Sequence, residues 1–212
     1  MSGLGIQDSY AKAQQLVDQL TRRNFILAFA GADRFSFVHR TFLEYYCAAW
    51  FVERFEKKQT MTLDQLQEEA FARHWKDESW HEVLRLIAGM LEEKKAEKLI
   101  LFLMSLDGSR DKLANLMLAV GCLSEVRNRR QIQSTDDALW DRFVSEAIRY
   151  DPPYYYESWR ESAEVTPVRQ TAVARIAGTW RGEKAHDWLK IAAVQDEDEF
   201  VQQAAVRKFA RG

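Results

Sequence analysis

The chain has 212 residues, 47% of them hydrophobic and 29% charged, and a formal net charge of -2. That balance is enough to bury a core, excludes a disordered tail, and gives no overall pull toward nucleic acid or acidic membranes. Nine glycines and three prolines are too few for a turn-rich β-sandwich. The composition predicts a mostly α fold, an antiparallel helical array or α-solenoid.

The first helix is expected over residues 8–23, with Ala13, Leu16, Val17 and Leu20 on one apolar face. Residues 25–30 and 35–38 read as two short strands around Gly31, Ala32, Asp33 and Arg34, a small hairpin near the N-terminus with a four-residue loop. A lone hairpin is marginal in water, so it must pack on helices. Residues 40–55 follow as a helix rich in aromatics (Phe42, Tyr45, Tyr46, Trp50, Phe51 and Phe55), with apolar residues over most of its circumference. That pattern predicts a central, largely buried helix.

A charged linker over residues 56–61 leads to Thr62, which is placed to cap a helix carrying Leu63, Leu66, Ala70 and Phe71. Further helical faces recur through residue 150, and this stretch reads as antiparallel helices with short loops. The apolar run 99–106 ending at Asp107 reads as a buried helix closed by an Asp-Gly turn. Asp151, Pro152 and Pro153 break the helical pattern. The three tyrosines after them, Tyr154 to Tyr156, are either a contact surface or packing at a bend.

Val168-Arg169-Gln170-Thr171-Ala172-Val173 is echoed 33 residues later by Val201-Gln202-Gln203-Ala204-Ala205-Val206. A period of that size points to HEAT-like helical repeats. Thr166 and Pro167 read as a cap and first position, so the first repeat helix is expected to begin at Pro167. The expected division is 1–56, 57–150 and 151–212. Two repeat copies are too few to stand alone, so they need the preceding helices or further repeats.

No catalytic motif stands out, and the chain reads as a non-enzyme. Gly178 to Lys184 has a spacing too short for a phosphate-binding P-loop, and Glu183 would repel phosphate. His74 and His81, seven residues apart, lie two helical turns from each other, which is too far for one ion without help from the fold. Asp196 to Glu199 reads as carboxylates at a helix N-terminus. Arg127, Arg129 and Arg130 read as a solvated helix end rather than a nucleic-acid surface. Cys47 and Cys122, each in an apolar helical stretch, read as core thiols of a reducing, cytoplasmic compartment. No apolar run is long enough to span a bilayer.

The stretch Phe35-Ser36-Phe37-Val38-His39-Arg40-Thr41-Phe42-Leu43-Glu44-Tyr45-Tyr46-Cys47-Ala48-Ala49 closely resembles the end of the winged-helix module in NACHT-type signalling NTPases of the STAND class. Arg23 to Leu27 and Gly31 resemble the first half of the same hairpin, and Trp80 to Leu91 look like the helical segment that follows in bacterial members. The resemblance implies a partial winged-helix region over 1–56, with a helical domain and sensor repeats behind it. It implies that His39 contacts the β-phosphate of bound ADP in the intact parent and helps hold a closed state. An imidazole N–H can donate to phosphate, and its charge can respond to it.

The family's nucleotide-binding domain, P-loop and magnesium-binding acids are not in this sequence. The chain is therefore expected to be part of a longer protein and to carry no cofactor itself, ATP or ADP with magnesium belonging to the parent. The expected partners are that upstream domain and a protein or other ligand on the repeats. A second copy of the chain is a further candidate, through exposed aromatic faces. Membrane and nucleic acid are not expected. The alternative reading is a self-contained helical-repeat scaffold with no link to nucleotide.

Overall fold

The computed structural model describes residues 3–24, 26–32, 34–147, 150, 161–180, 182–196 and 199–209. These comprise ten α-helices and one two-stranded antiparallel hairpin near the N-terminus, with 78% of the described residues helical. The mostly α array expected from composition is the fold observed. The double-proline break and the three tyrosines lie outside the described residues. The chain divides into two compact units, residues 1–50 and 51–212.

In the first unit, α1 (Gly3–Asp18) widens into a π turn over Gln19–Arg23. Strands β1 (Leu27–Gly31) and β2 (Arg34–Phe37) then pair with Leu27 opposite Phe37 and Phe29 opposite Phe35. The ladder shifts between Phe29 and Gly31, and Gly31 faces Arg34, a tighter turn than the expected loop. Gly31 has φ +87°, a left-handed conformation that glycine takes without Cβ strain. The backbone N–H of Val38 donates to the Ile26 carbonyl at 3.0 Å and extends the hairpin by one bond. Helix α2 (Arg40–Val52) follows and continues as a π turn over Glu53–Lys57. The Phe37 ring stacks on Tyr46 at 5.6 Å, joining hairpin to helix.

The expectation that α2 is largely buried fails. Leu43, Tyr45, Tyr46 and Trp50 are all 45% exposed or more, and only Ala48 and Phe51 on this helix are buried. A helix that is apolar on several sides needs neighbours on each of them. Among the described residues α2 lacks them.

In the second unit, Thr62 caps α3 (Leu63–Leu66) through a full capping box. The Thr62 hydroxyl accepts from the Gln65 N–H and the Gln65 side chain accepts from the Thr62 N–H. The helix continues as a π turn over Gln67–Ala72 that buries Ala70 and Phe71. A short 3-10 turn, Glu78–Trp80, leads into α4 (His81–Met90), followed by α5 (Glu93–Ser105) and α6 (Ala114–Glu125). Helix α7 (Gln133–Ala147) is entered through a 3-10 turn, Arg129–Ile132. Then come α8 (Glu161–Thr179), α9 (Glu183–Gln195) and α10 (Glu199–Phe209).

The central buried helix is α6, which packs on α4, α5, α7 and α8. Leu116, Leu118, Ala119, Val120, Cys122 and Leu123 are each 2% exposed or less. Small residues bring α4 and α6 together. A Cβ added at Gly121 would lie 3.0 Å from Arg85 Cδ, and one added at Gly89 would lie 3.0 Å from Glu125 Cβ. The run ending at Asp107 is helical, as expected. The Asp107 carboxylate accepts from the Ser109 N–H at 3.0 Å and closes the turn.

Two of the paired repeat positions share one environment: Val168 with Val201, and Ala172 with Ala205, are all buried, and α10 packs on both α8 and α9. The third pair does not match, because Val173 is buried and Val206 is 51% exposed. Helix α8 also starts earlier than expected. It begins at Glu161, and Pro167 lies inside it. Proline has no N–H for the carbonyl one turn back and its ring crowds that carbonyl, which makes the helix interior a costly place for it.

Candidate functional site

His39 sits at the hairpin–helix junction of the first unit, one residue before α2. It is exposed, and its carbonyl accepts from the Phe42 N–H at 3.1 Å. Its ring lies 6.2 Å from the Phe42 ring. No described residue takes a hydrogen bond from the imidazole, so its ring nitrogens are open to an outside hydrogen-bond partner. Arg40 and Glu44 close the first turn of α2, with Arg40 Nε donating to the Glu44 carboxylate at 2.7 Å. Their role here is to pin the junction that presents His39.

The second unit holds a cleft of about 980 Å³ walled by α4, α6, α8 and the turn between α5 and α6. That turn is built tightly. Asn115, 1% exposed, donates to the carbonyls of Leu103 and Leu106 at 3.2 and 2.7 Å, closing the end of α5. Gly108 lies against it, since an added Cβ would stand 1.9 Å from Asn115 Oδ1. Lys112 and Leu113 both take left-handed backbone, with φ 54° and 57°. For non-glycine residues that conformation is strained, and the packing around Asn115 holds it.

The turn and helices deliver five cations to the cleft wall: Lys76, Arg85, Arg110, Lys112 and Arg175. The lining acids are Glu78, Glu82 and Asp111. Arg85 is clamped, with Nη1 on Glu82 at 3.1 Å and Nη2 on Glu125 at 2.5 Å, while its Nε is buried without a partner. Lys76 pairs with Asp111 at 2.8 Å. Arg175 is half-buried and has no hydrogen bond or ion pair among the described residues. Burial, and then the neighbouring Arg85 guanidinium, hold Arg175 below the ordinary arginine value.

His81 also lines this cleft, with Nε2 2.7 Å from the Trp75 carbonyl. A carbonyl only accepts, so that nitrogen carries the proton. His74 stacks flat on Trp80 at 3.7 Å. The two histidines therefore serve separate packing contacts. Among the described residues, no group of three His, Cys, Asp or Glu side chains could hold a metal ion, and no helix is long and apolar enough to cross a membrane.

Arg129 departs from the solvated helix end expected of its cluster. Its Nε and Nη2 grip the Asp136 carboxylate at 2.9 and 2.8 Å, and its Nη1 donates to the Thr179 carbonyl at 2.6 Å. Trp180 Nε1 donates to the same carboxylate at 2.6 Å, and its ring meets Trp140 edge-on at 5.1 Å. Asp136 is only 6% exposed. Arg127 and Arg130 remain exposed. Asp196 takes a side-chain bond as well, from Arg169 Nη2 at 2.8 Å, while Glu199 lies in the first turn of α10. Sequence reasoning missed both Arg–Asp locks and the placing of Arg85 and Arg175 on one cleft wall. The partners lie between 7 and 90 residues apart, and only helix packing brings them together.

Comparison of the chain with protein-family models, curated proteins and solved structures finds no match.

Proposed function

We propose that the chain is a non-catalytic regulatory portion of a NACHT-type signalling NTPase, in which the hairpin–helix junction senses nucleotide and the helical array recognises a ligand or partner. The observation that carries this reading is His39. It stands exposed at the start of α2 with its imidazole unoccupied, at the position where the resembling motif places its phosphate-contacting histidine. An imidazole N–H there donates to a phosphate oxygen, and a protonated ring adds charge to that bond. Contact to ADP favours one conformation only as far as the contact differs between the two states. The nucleotide and its magnesium belong to the parent's upstream domain, and this chain contributes the histidine.

His39→Ala in the intact parent is expected to weaken ADP retention by about 10-fold, the loss of one charge-assisted hydrogen bond, and to raise basal signalling. ADP retention equal to wild type removes His39 from the mechanism. A reading frame with no P-loop upstream of residue 1 removes the whole proposal. A second reading is favoured by the cleft, whose walls lie entirely within residues 51–212. On that reading the array is a self-contained recognition scaffold with no nucleotide link.

A further inference from the structure

We infer that the cleft between α4, α6, α8 and the α5–α6 turn is a binding site for a small molecule bearing a phosphate group, with Arg175 and Arg110 taking the anion. The inference does not depend on the nucleotide-linked reading, because His39 is in the other unit.

Charge accounting within the cleft leads to it. Asp111 is neutralised by Lys76, and Glu82 by Arg85. Arg85 also pairs with Glu125 from α6, which adds one negative charge beside the lining residues. Arg110 and Arg175 have no hydrogen bond or ion pair among the described residues. Glu78, the remaining lining acid, is exposed on the short turn ahead of α4. Lining cations outnumber lining acids five to three, and by one once Glu125 is counted, with the half-buried Arg175 among them.

Seating Arg175 beside Arg85 costs stability twice, through desolvation and through like-charge repulsion. A fold that only needed to fill this space would place an aliphatic side chain there. Gly121 adds to this, because any side chain at that position would displace the Arg85 stem. Arg85 is tied to Glu82 and Glu125 on the same cleft wall that carries Arg175. An anion bound between guanidinium groups removes the repulsion.

A phosphate monoester carries nearly two charges and three acceptor oxygens, enough to engage two guanidinium forks at once. A carboxylate carries one charge and fills one fork. The wall also has an apolar part, Ala114, Met117, Pro167 and Val168, so the ligand carries an apolar group beside its phosphate. The volume of about 980 Å³ falls at the upper end of the range for small-molecule sites.

The probe is phenyl phosphate, titrated into the full chain and followed by isothermal titration calorimetry, with benzoate as the carboxylate control. Phenyl phosphate is expected to bind saturably with a Kd of about 1 mM or tighter, and benzoate at least about 10-fold more weakly, the loss of one charge-assisted fork. Arg175→Gln and Arg110→Gln are each expected to weaken phenyl phosphate by about 10-fold or more. The ligand-free Tm of Arg175→Gln should stay level or rise by about 2–4 °C, because a repulsion is removed.

A purely structural arginine would lower Tm when replaced, so a fall in Tm with unchanged binding overturns the proposal. So does the lack of saturable binding, or benzoate binding as tightly as phenyl phosphate. Should Arg175→Gln not fold, Arg110→Gln in the exposed turn decides alone. Flotation with phosphatidic acid vesicles, abolished by the same substitutions, would assign the phosphate to a lipid headgroup and overturn the small-molecule reading.

Discussion

Helices α2 and α6 are both dense in apolar residues, yet one is open to solvent and the other is fully enclosed. In α6 the apolar residues are aliphatic and interspersed with Ala119 and Gly121, so four helices approach its axis closely. In α2 they are bulky aromatics spread over several faces, and Tyr45, Tyr46 and Trp50 stay about half exposed. Apolar content alone does not decide burial. The shape that lets neighbours approach does. The same contrast extends to whole units: most of the large exposed apolar side chains, from Tyr10 to Trp50, fall within residues 1–50.

One cysteine in each unit turns this contrast into a measurement. Cys122 is 0% exposed, and burial pushes its thiol up to about 12. Cys47 is half-buried, and its thiol is raised by burial too. The thiolate is the reactive form, so Cys122 should react with a disulfide reagent only when the array opens globally. Its labelling is expected to be slower than that of Cys47 by about 1000-fold or more, read by mass spectrometry of timed samples. Equal rates would show that the array is as open as α2. The linkage has a definite sign. The folded thiol keeps its proton above the unfolded value of 9.0, so this contribution to stability is complete below pH 9.0 and falls as pH rises toward about 12.

The next largest effect is expected at the Arg129–Asp136–Trp180 lock. Asp136→Ala leaves a guanidinium and an indole N–H without their shared acceptor, in a site where Asp136 is 6% exposed. Removing one partner of such a pair costs about 3–5 kcal/mol, measured by urea unfolding of the full chain. A double substitution with Arg129→Leu should recover part of that loss, since the stranded charge is then gone. A loss below about 1 kcal/mol would mean that the lock is solvated and that the array is held by its apolar layers alone.

These two regions also differ in how much of them could be read from the amino acids. The helices of the array were legible from periodicity, because Leu66, Ala70 and Phe71, or Val83, Leu84 and Ile87, recur at 3.6-residue spacing and are all buried. The Thr62 cap was legible because Gln65 stands at the right distance for a capping box. The hairpin was legible from its alternating aromatics, though its turn was one pairing tighter than expected. The burial of α2 was misjudged because periodicity reports which face is apolar and not whether anything covers it. Pro167 reads as a first helical position because an interior proline is costly, yet α8 carries it inside the helix. The cleft was not legible at all. Arg85, Arg110 and Arg175 look like surface arginines until α4, the turn and α8 converge.

The smallest effect is expected at the exposed rings of α2. Tyr45 and Trp50 are 50% and 51% exposed, so each already leaves much of its ring in water. Their replacement by serine should shift stability by no more than about 0.5 kcal/mol, the range of ordinary surface substitutions. The check is urea unfolding at two protein concentrations. If the exposed rings are a surface held for another protein, wild type and variants unfold alike and neither midpoint moves with concentration. A loss above about 1.5 kcal/mol that grows with concentration would mean that a second copy of the chain buries these rings, as a partner binding only the folded state adds stability by mass action. The difference between α2 and α6 would then be one of which molecule supplies the neighbours, not of whether the helix has any.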